Sequence, residues 1–337
     1  MSLVSLARLS APVVAPVAAA AAAFALLAGP GPAAAAPTGE ATRVLAISVD
    51  GLNVEALERL GHEGAPNFHR LIEEGASTLN ARTEREQTIT LPNHTGMLTG
   101  RRIAKDLNGH GVTWNDDRPR MTVQKGAGHR VASVFSVVHR AGGSTALFST
   151  KTKFSLFNRS WDTAIDRFRV DEHQRALVRS ARRDLVEHRR DFTFLHMSLP
   201  DQAGHEYGFM SDSYVDAVRL TDVLLGRVLA TIESDPALAE DLVVILTADH
   251  GGDGPDHSDA RRIANYRVPF LAWGASVPAG DLYALNPDYV NPGDGRPTYA
   301  GPQPVRNADV ANLATDLLGL GAVPGSELDA AQDLDVR

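Results

Sequence analysis

The feature that most constrains this chain is the apolar run Asp241 to Leu246, which leads straight into Thr247-Ala248-Asp249-His250-Gly251-Gly252-Asp253-Gly254-Pro255-Asp256-His257. A short, β-branched run without polar alternation is a strand buried on both faces, as in parallel sheets covered by helices. The polar cluster therefore falls at the strand's carboxyl end, where ligands bind in open α/β sheets. Asp249 and His250 are neighbours and cannot both be core residues. A carboxylate beside an imidazole at a strand end is costly to desolvate, and a bound divalent metal is one common way to offset that cost. Gly251, Gly252 and Gly254 let the backbone pass close to such a site and bring His257 back to it. Taken alone, the stretch reads equally well as a solvated polar loop.

The rest of the chain repeats the arrangement. Arg43 to Val49 is a second continuous apolar strand, ending in Asp50-Gly51, with Asn53 placed to cap a helix through Leu60. Pro66 opens a further helix that Gly75 closes, and a strand follows over Ala76 to Thr83. Asp191 to Leu199 is a third apolar strand, and it runs into Pro200-Asp201-Gln202-Ala203-Gly204-His205. Asp201 and His205, four apart, can point at one ion. Thr90 precedes Leu91-Pro92-Asn93-His94 and so stands at a helix start, where backbone N–H groups and the dipole favour an anion. By itself Thr90 reads as an ordinary N-cap, and His94 as a packed or supporting histidine. Helices over Arg130 to Arg140, Asp171 to Arg190, Ser211 to Glu233 and Asp309 to Leu318 alternate with strands over Ser144 to Ser149 and Tyr266 to Trp273. That alternation is an α/β pattern without internal repeats.

The N-terminus stands apart. Residues 1–36 carry one charge, Arg8, then an apolar Ala/Val/Leu run from Ala11 to Leu27 and a small-residue end at Ala33 to Ala36, the pattern of a secretory signal peptide cut near Ala35. The expected mature protein is exported, without stable membrane insertion after signal removal. A single catalytic domain is expected over residues 37–325, with a polar, frayed tail over 326–337. The formal charge is −8, which argues against duplex nucleic acid as a partner. The chain has no cysteine, which fits a bacterial type of secreted protein and removes every thiolate ligand and nucleophile. Any metal must be held by Asp, Glu and His, a set suited to zinc, manganese or calcium-like ions.

Three strands ending in Asp and a Thr at a helix start make one coherent proposal, a two-metal site. Asp50, Asp249 and His250 hold one ion and Asp201, His205 and His257 the other, with Thr90 reaching the first. Two such ions about 4 Å apart clamp the attacking and leaving oxygens of a displacement at phosphorus. Coordination also lowers the pKa of the threonine hydroxyl. Zinc is the expected metal, with manganese the alternative.

VLAISVDG from Val44, TLPNHTGMLTG from Thr90, PDQAGHEYG from Pro200 and TADHGG from Thr247 occur in that order. Together they resemble the alkaline phosphatase superfamily, most closely its type I phosphodiesterase/nucleotide pyrophosphatase branch, over about Arg43 to Leu320. The resemblance implies a three-layer α/β/α sandwich with a central, mostly parallel sheet. It implies Thr90 as nucleophile, passing through a phosphothreonine, and Asn115 as the side chain that holds a non-bridging phosphate oxygen. Asn115 and the N–H groups after Thr90 would stabilise the transition-state charge. No histidine follows His257, whereas larger members place their last ligand far downstream, so His257 is the remaining imidazole for the second ion.

The expected substrate is a small-molecule phosphate ester or nucleotide-like compound. A phosphomonoesterase or phosphonate hydrolase is the alternative, with Lys151, Lys153 or Arg101 as the extra cation, although the basic residues at 101–105 read as a solvated face and Thr150 to Trp161 as a structural loop. A sulfatase would need Cys or Ser where Thr90 stands. A non-catalytic binding protein on the same scaffold is the remaining reading. Specificity is expected in the loops Thr150 to Asp171 and Tyr283 to Gln303.

Overall fold

A computed structural model describes residues 43–337. The expected signal peptide and its cleavage near Ala35 lie outside the described residues. One mixed sheet of eight strands forms the middle layer, in the order β4-β3-β5-β1-β6-β7-β2-β8. Its members are β1 (Arg43–Val49), β2 (Ala76–Arg82), β3 (Thr145–Ser149), β4 (Arg167–Val170), β5 (Phe192–Met197), β6 (Leu242–Thr247), β7 (Arg267–Gly274) and the short β8 (Gly280–Asp281). From β4 to β6 every pairing is parallel, while β7 is antiparallel to both β6 and β2. The three central strands β5, β1 and β6 are buried on both faces, as their unbroken apolar runs require.

Helices cover the two faces. Helices α1 (Val54–Gly64) and α2 (Pro66–Glu74) pack with the long helix over Asp212–Ser234, which also meets the helix over Gln174–His188. Helix α3 (Thr90–Thr99) packs with the helices over Val134–Arg140 and Val310–Leu317, the last of which lies on β1 and β6. The result is the expected three-layer α/β/α sandwich.

Register sets the site. Val49 of β1 pairs with Met197 of β5, and Ser48 of β1 pairs with Thr247 of β6, so the three strands end side by side. Asp50 follows β1 directly, Asp249 lies two residues beyond β6, and Asp201 falls in the first turn of the helix over Leu199–Tyr207 that caps β5. His205 comes one turn later on the same helix face.

The structure corrects two expectations about the ends of elements. Residues 130–133 are not helical, because Ser133 caps a helix that begins at Val134 and closes a reciprocal box with Ser136. The C-terminal segment is not frayed: Leu334 and Val336 are fully buried, and Gln332 and the Leu328 carbonyl bond the helix over Val310–Leu317. Its charged residues hide an apolar alternation, Leu334 and Val336, that docks on the core. No helix among the described residues is long and apolar enough to cross a membrane.

Candidate functional site

The strand ends bring together, in two groups, six of the seven expected metal-ligating side chains, all but Thr90. Asp50, Asp249 and His250 offer ligand atoms within 4.8 Å of one another, and so do Asp201, His205 and His257. His250 Nε2 lies 3.3 Å from Asp249 Oδ2 and 3.5 Å from Asp50 Oδ1. His205 Nε2 lies 3.4 Å from Asp201 Oδ1, and His257 Nε2 is 3.7 Å from the same oxygen. Donor atoms bound tetrahedrally at zinc distances sit about 3.3 Å apart, so these spacings suit a shared ion. Buried Asp50 Oδ1, Asp201 Oδ1, Asp249 Oδ2 and His250 Nε2 have no hydrogen-bond partner, which is the orphaned polar surface that an ion would satisfy. The residues present therefore fit a pair of divalent ions.

Supporting bonds fix the orientation of two of the three imidazoles. His250 Nδ1 is 2.8 Å from the Gly251 carbonyl and His257 Nδ1 is 2.7 Å from the Thr88 carbonyl. A carbonyl only accepts, so both Nδ1 atoms carry the hydrogen and both Nε2 atoms keep a lone pair. His257 and His205 face each other through Nε2 at 3.1 Å, a contact in which only one nitrogen can donate. His205 remains half-exposed, which leaves this end of the site open to solvent. Asp249 is held from behind by the N–H groups of Gly51 and His250, at 3.1 and 3.0 Å. Gly51, at φ 71°, makes the turn beneath the site, and a Cβ there would lie 3.0 Å from Asp201 Cα. Gly252 leaves room for the Phe209 ring, which packs against His205 and His257.

Thr90 stands at the start of α3, and Ile89 rather than Thr90 is the cap residue. Its hydroxyl is thus not the helix cap. Lys151 Nζ lies 3.5 Å from Thr90 Oγ1 and 2.6 Å from both Asp50 Oδ2 and Asp201 Oδ2. The lysine and the orphaned Oδ1 atoms thus use opposite oxygens of the same two carboxylates. Asn115 Oδ1 accepts from Leu91 N–H at 3.1 Å and from Lys153 Nζ at 3.1 Å, which leaves the Nδ2 hydrogens to donate elsewhere.

This arrangement revises one expectation about charge stabilisation. Of the backbone groups after Thr90, Leu91 N–H is engaged by Asn115, Pro92 has none, and Asn93 N–H bonds the Ile89 carbonyl. The positive charge here comes from lysines instead. The segment over residues 150–161, expected to be a structural loop, is instead largely helical, a short turn over Thr152–Phe154 running into a helix over Ser155–Ser160, and it supplies both lysines, with Phe154 and Phe157 buried in the core beside them. Arg101 is buried rather than solvated, and its guanidinium bonds the carbonyls of Asn108 and Pro324, away from the site.

Electrostatics follow from three buried carboxylates around one amine. Burial alone would raise the Asp50 carboxyl, but Lys151, with His196, holds it well below the usual range. Burial and the Asp50 charge push Asp201 the same way, and there too Lys151 and His205 bring it down. Asp249 has no such partner at hydrogen-bond distance, so burial and the Asp50 charge raise it well above the usual range. Burial drives His250 down to about 3, keeping it neutral as a ligand must be. Burial opposes charge on Lys151 as well, yet the three aspartates hold it firmly protonated.

His196 was not singled out by sequence. It lies in β5 with Nε2 2.8 Å from Asp50 Oδ2 and Nδ1 3.1 Å from Ser149 Oγ, fixing the Asp50 carboxylate. His94 bonds the Thr90 carbonyl and Ser48 Oγ, each at 2.8 Å, so it steadies the first turn of α3 from below.

Comparison with known proteins bears on these observations. The profile of the family described as Type I phosphodiesterase / nucleotide pyrophosphatase matches residues 44–294. The GPI ethanolamine phosphate transferase 1 of Yarrowia lipolytica is 32% identical over 132 residues, which span 38% of this chain and 14% of that protein. That of Chaetomium globosum is 29% identical over 174 residues, 47% of this chain and 18% of that protein. The chain thus spans less than a fifth of the length of these relatives. Among solved structures, murine ectonucleotide pyrophosphatase/phosphodiesterase 5, an inactive threonine-to-alanine variant in complex with AMP, superposes with a TM-score of 0.63 at 15% identity, covering 87% of this chain and 99% of that one. The human counterpart gives 0.62 at 15% identity with the same coverage. Likeness at this identity speaks to the fold.

Proposed function

The chain belongs to the type I phosphodiesterase/nucleotide pyrophosphatase family, and on that premise we propose that it is an exported, metal-dependent hydrolase of phosphoric esters with Thr90 as its nucleophile. The observation that carries this reading is the bridge made by Lys151 Nζ, 3.5 Å from Thr90 Oγ1 and 2.6 Å from Asp50 and Asp201, which ties that hydroxyl to the ligand cluster. In the proposed reaction Thr90 Oγ1 bonds to phosphorus as the ester oxygen departs with its electron pair, leaving a phosphothreonine. Water then attacks the same phosphorus, and Thr90 departs and regains its proton. Asp50, Asp249 and His250 would hold one divalent ion, and Asp201, His205 and His257 a second, with zinc preferred for this oxygen and nitrogen donor set and manganese the alternative. When bound, such ions lower the pKa of the hydroxyl and neutralise the departing oxyanion. Asn115 would donate from Nδ2 to a non-bridging phosphoryl oxygen, and Lys151 and Lys153 would offset its charge. A small phosphate ester or nucleotide-like compound fits this chemistry.

One observation favours a second reading of the substrate. Two lysines beside Thr90 and Asn115 supply more positive charge than a diester monoanion needs, which suits a phosphomonoester or a phosphonate. The test is hydrolysis of bis-p-nitrophenyl phosphate against p-nitrophenyl phosphate, before and after chelation, with Thr90→Ala as control. A chelator-sensitive preference for the diester, lost in the variant, supports the phosphodiesterase reading, and preference for the monoester moves the assignment to the second. Transfer of the phosphoryl group to an added alcohol such as glycerol, without release to water, would assign a transferase, the class of activity in the names of the fungal relatives. No turnover of any of these with metal restored would sink the catalytic reading in favour of a binding protein.

A further inference from the structure

A second kind of metal-binding geometry lies on the surface away from the strand ends. We propose that His62, His69 and Glu73 form a peripheral site for a first-row divalent ion such as zinc, which staples α1 to α2. The three side chains offer one ligand atom each, all within 4.8 Å of one another. They come from two elements. His69 and Glu73 are four residues apart on α2 and so share a helix face, the spacing at which two side chains chelate one ion. His62 belongs to the last turn of α1, beyond Gly61, whose φ of 55° breaks the helix there. That left-handed step, open to glycine at no steric cost, brings the His62 ring to 4.5 Å from the His69 ring, centroid to centroid.

The donor chemistry is set before an ion arrives. His69 Nε2 lies 3.2 Å from the Leu57 carbonyl, which only accepts, so Nε2 carries the hydrogen and Nδ1 keeps its lone pair. A backbone carbonyl behind a ring is the usual way that a metal-binding imidazole is oriented. His62 Nε2 lies 2.6 Å from Glu73 Oε1, so the two ligand atoms are already neighbours and the hydrogen between them is what an ion would replace. His62 and Glu73 are 63% and 55% exposed, which gives an ion free entry and leaves room for water to complete its coordination. Two imidazoles and one carboxylate select zinc or its neighbours over calcium and magnesium, which take oxygen donors.

The staple would act on stability rather than on chemistry. Val54, the first residue of α1, follows the Asp50-Gly51 turn, and about 9 Å of regular helix separates it from Leu60, so His62, beyond the Gly61 break, stands at the far end of α1 from that turn. An ion there would lock the α1–α2 corner across the Gly61 break without touching Thr90 or the strand-end groups.

Zinc titration of the chelator-stripped full chain tests this, using inductively coupled plasma counting and long-range imidazole NMR. Wild type is expected to take up one equivalent more than His62→Ala, and Glu73→Gln to weaken that equivalent at least tenfold, with turnover of bis-p-nitrophenyl phosphate unchanged in both. Zinc should shift the His62 and His69 ring nitrogens in wild type, with His69 held as the Nε2–H tautomer, and excess magnesium or calcium should not compete. Equal stoichiometry in wild type and both variants would overturn the proposal and leave an exposed His–Glu ion pair only. Since the variants alter exposed side chains, matching metal-free melting curves establish that each is folded before ions are counted.

Discussion

Lys153 Nζ lies 3.1 Å from Asn115 Oδ1, so the lysine bonds the very amide whose other end is proposed to hold phosphate. The amine serves two ends, orienting Asn115 and adding charge where an extra phosphoryl oxygen would sit. Burial, reinforced by the neighbouring Lys151 charge, lowers the Lys153 pKa, and the carboxylates of Asp50, Asp201 and Asp249 act against that fall. Replacing Lys153 with Ala is expected to reduce kcat/KM for p-nitrophenyl phosphate about 10- to 100-fold, and that for bis-p-nitrophenyl phosphate by less. Equal losses on both substrates would make Lys153 a positioning residue for Asn115 alone and remove the case for an extra anionic group.

The orphaned atoms predict how the protein answers metal removal. Asp50 Oδ1, Asp201 Oδ1, Asp249 Oδ2 and His250 Nε2 are buried without partners, so an ion that binds them in the folded state stabilises it by mass action. At a free zinc concentration 100 times the dissociation constant the gain is about 2.7 kcal/mol. Chelation is therefore expected to lower Tm by several degrees, and added zinc to restore it in a concentration-dependent way. In Asp249→Asn, whose side chain keeps its shape and loses its charge, the share of that response due to the ion held by Asp50, Asp249 and His250 should vanish, leaving a smaller zinc-dependent rise than in wild type. A melting curve indifferent to chelator in freshly prepared protein would count against resident metal.

How much of this was legible in the sequence depends on where each residue's partners come from. Asp50, Asp249 and Asp201 could be read because each ends an unbroken apolar run, and a parallel sheet aligns such ends. His205 followed from its spacing of four from Asp201. His196 could not, since its role comes from register. It pairs with Ser48 on one side and Ser149 on the other, and only that row across three strands puts its ring on Asp50. Lys151 was legible only as one of three candidate cations, for a similar reason. Its neighbours Phe154 and Phe157 look like any loop aromatics, yet their burial turns the lysine toward carboxylates 50 and 101 residues away in sequence. The apolar pair Leu334 and Val336 was masked by the aspartates around it, so a docked segment read as a tail.

Gly51 predicts a loss of function through geometry alone. Its φ of 71° lies in the left-handed region, and a Cβ would stand 3.0 Å from Asp201 Cα and Cβ and 3.2 Å from the Phe209 ring. Alanine would add about 1–2 kcal/mol for the backbone conformation, plus the displacement of Asp201. Gly51→Ala is expected to fold with a lowered Tm and to lose far more turnover than its stability loss explains, because Asp201 and the Gly51 N–H on Asp249 both move. Thermal melting and kcat measured on the same preparation check this, and a variant with a lowered Tm and unimpaired kcat would show that Asp201 tolerates the shift.

Glu84 carries a pH prediction away from the strand ends. It is fully buried, and burial, with the Glu86 charge added, pushes its carboxyl up to about 8, against an opposing hydrogen bond from Tyr299. Tyr299 OH also lies 2.6 Å from Glu86 Oε2, so its one hydrogen can satisfy only one of the two carboxyls, which favours a proton on the buried Glu84. The folded state thus holds a proton on Glu84 that the unfolded chain gives up near pH 4.5. Its contribution to stability is fully present below the unfolded value and is lost as pH rises through 4.5 toward 8, at up to 1.4 kcal/mol per pH unit. Glu84→Gln keeps the shape and has no proton to lose. It is expected to flatten the fall in Tm between pH 5 and pH 8 and to gain a few kcal/mol relative to wild type at the upper end. Urea melts of both proteins across that range measure the slope difference directly, and parallel slopes would mean that Glu84 is ionised in the folded protein, with its charge carried by Arg306.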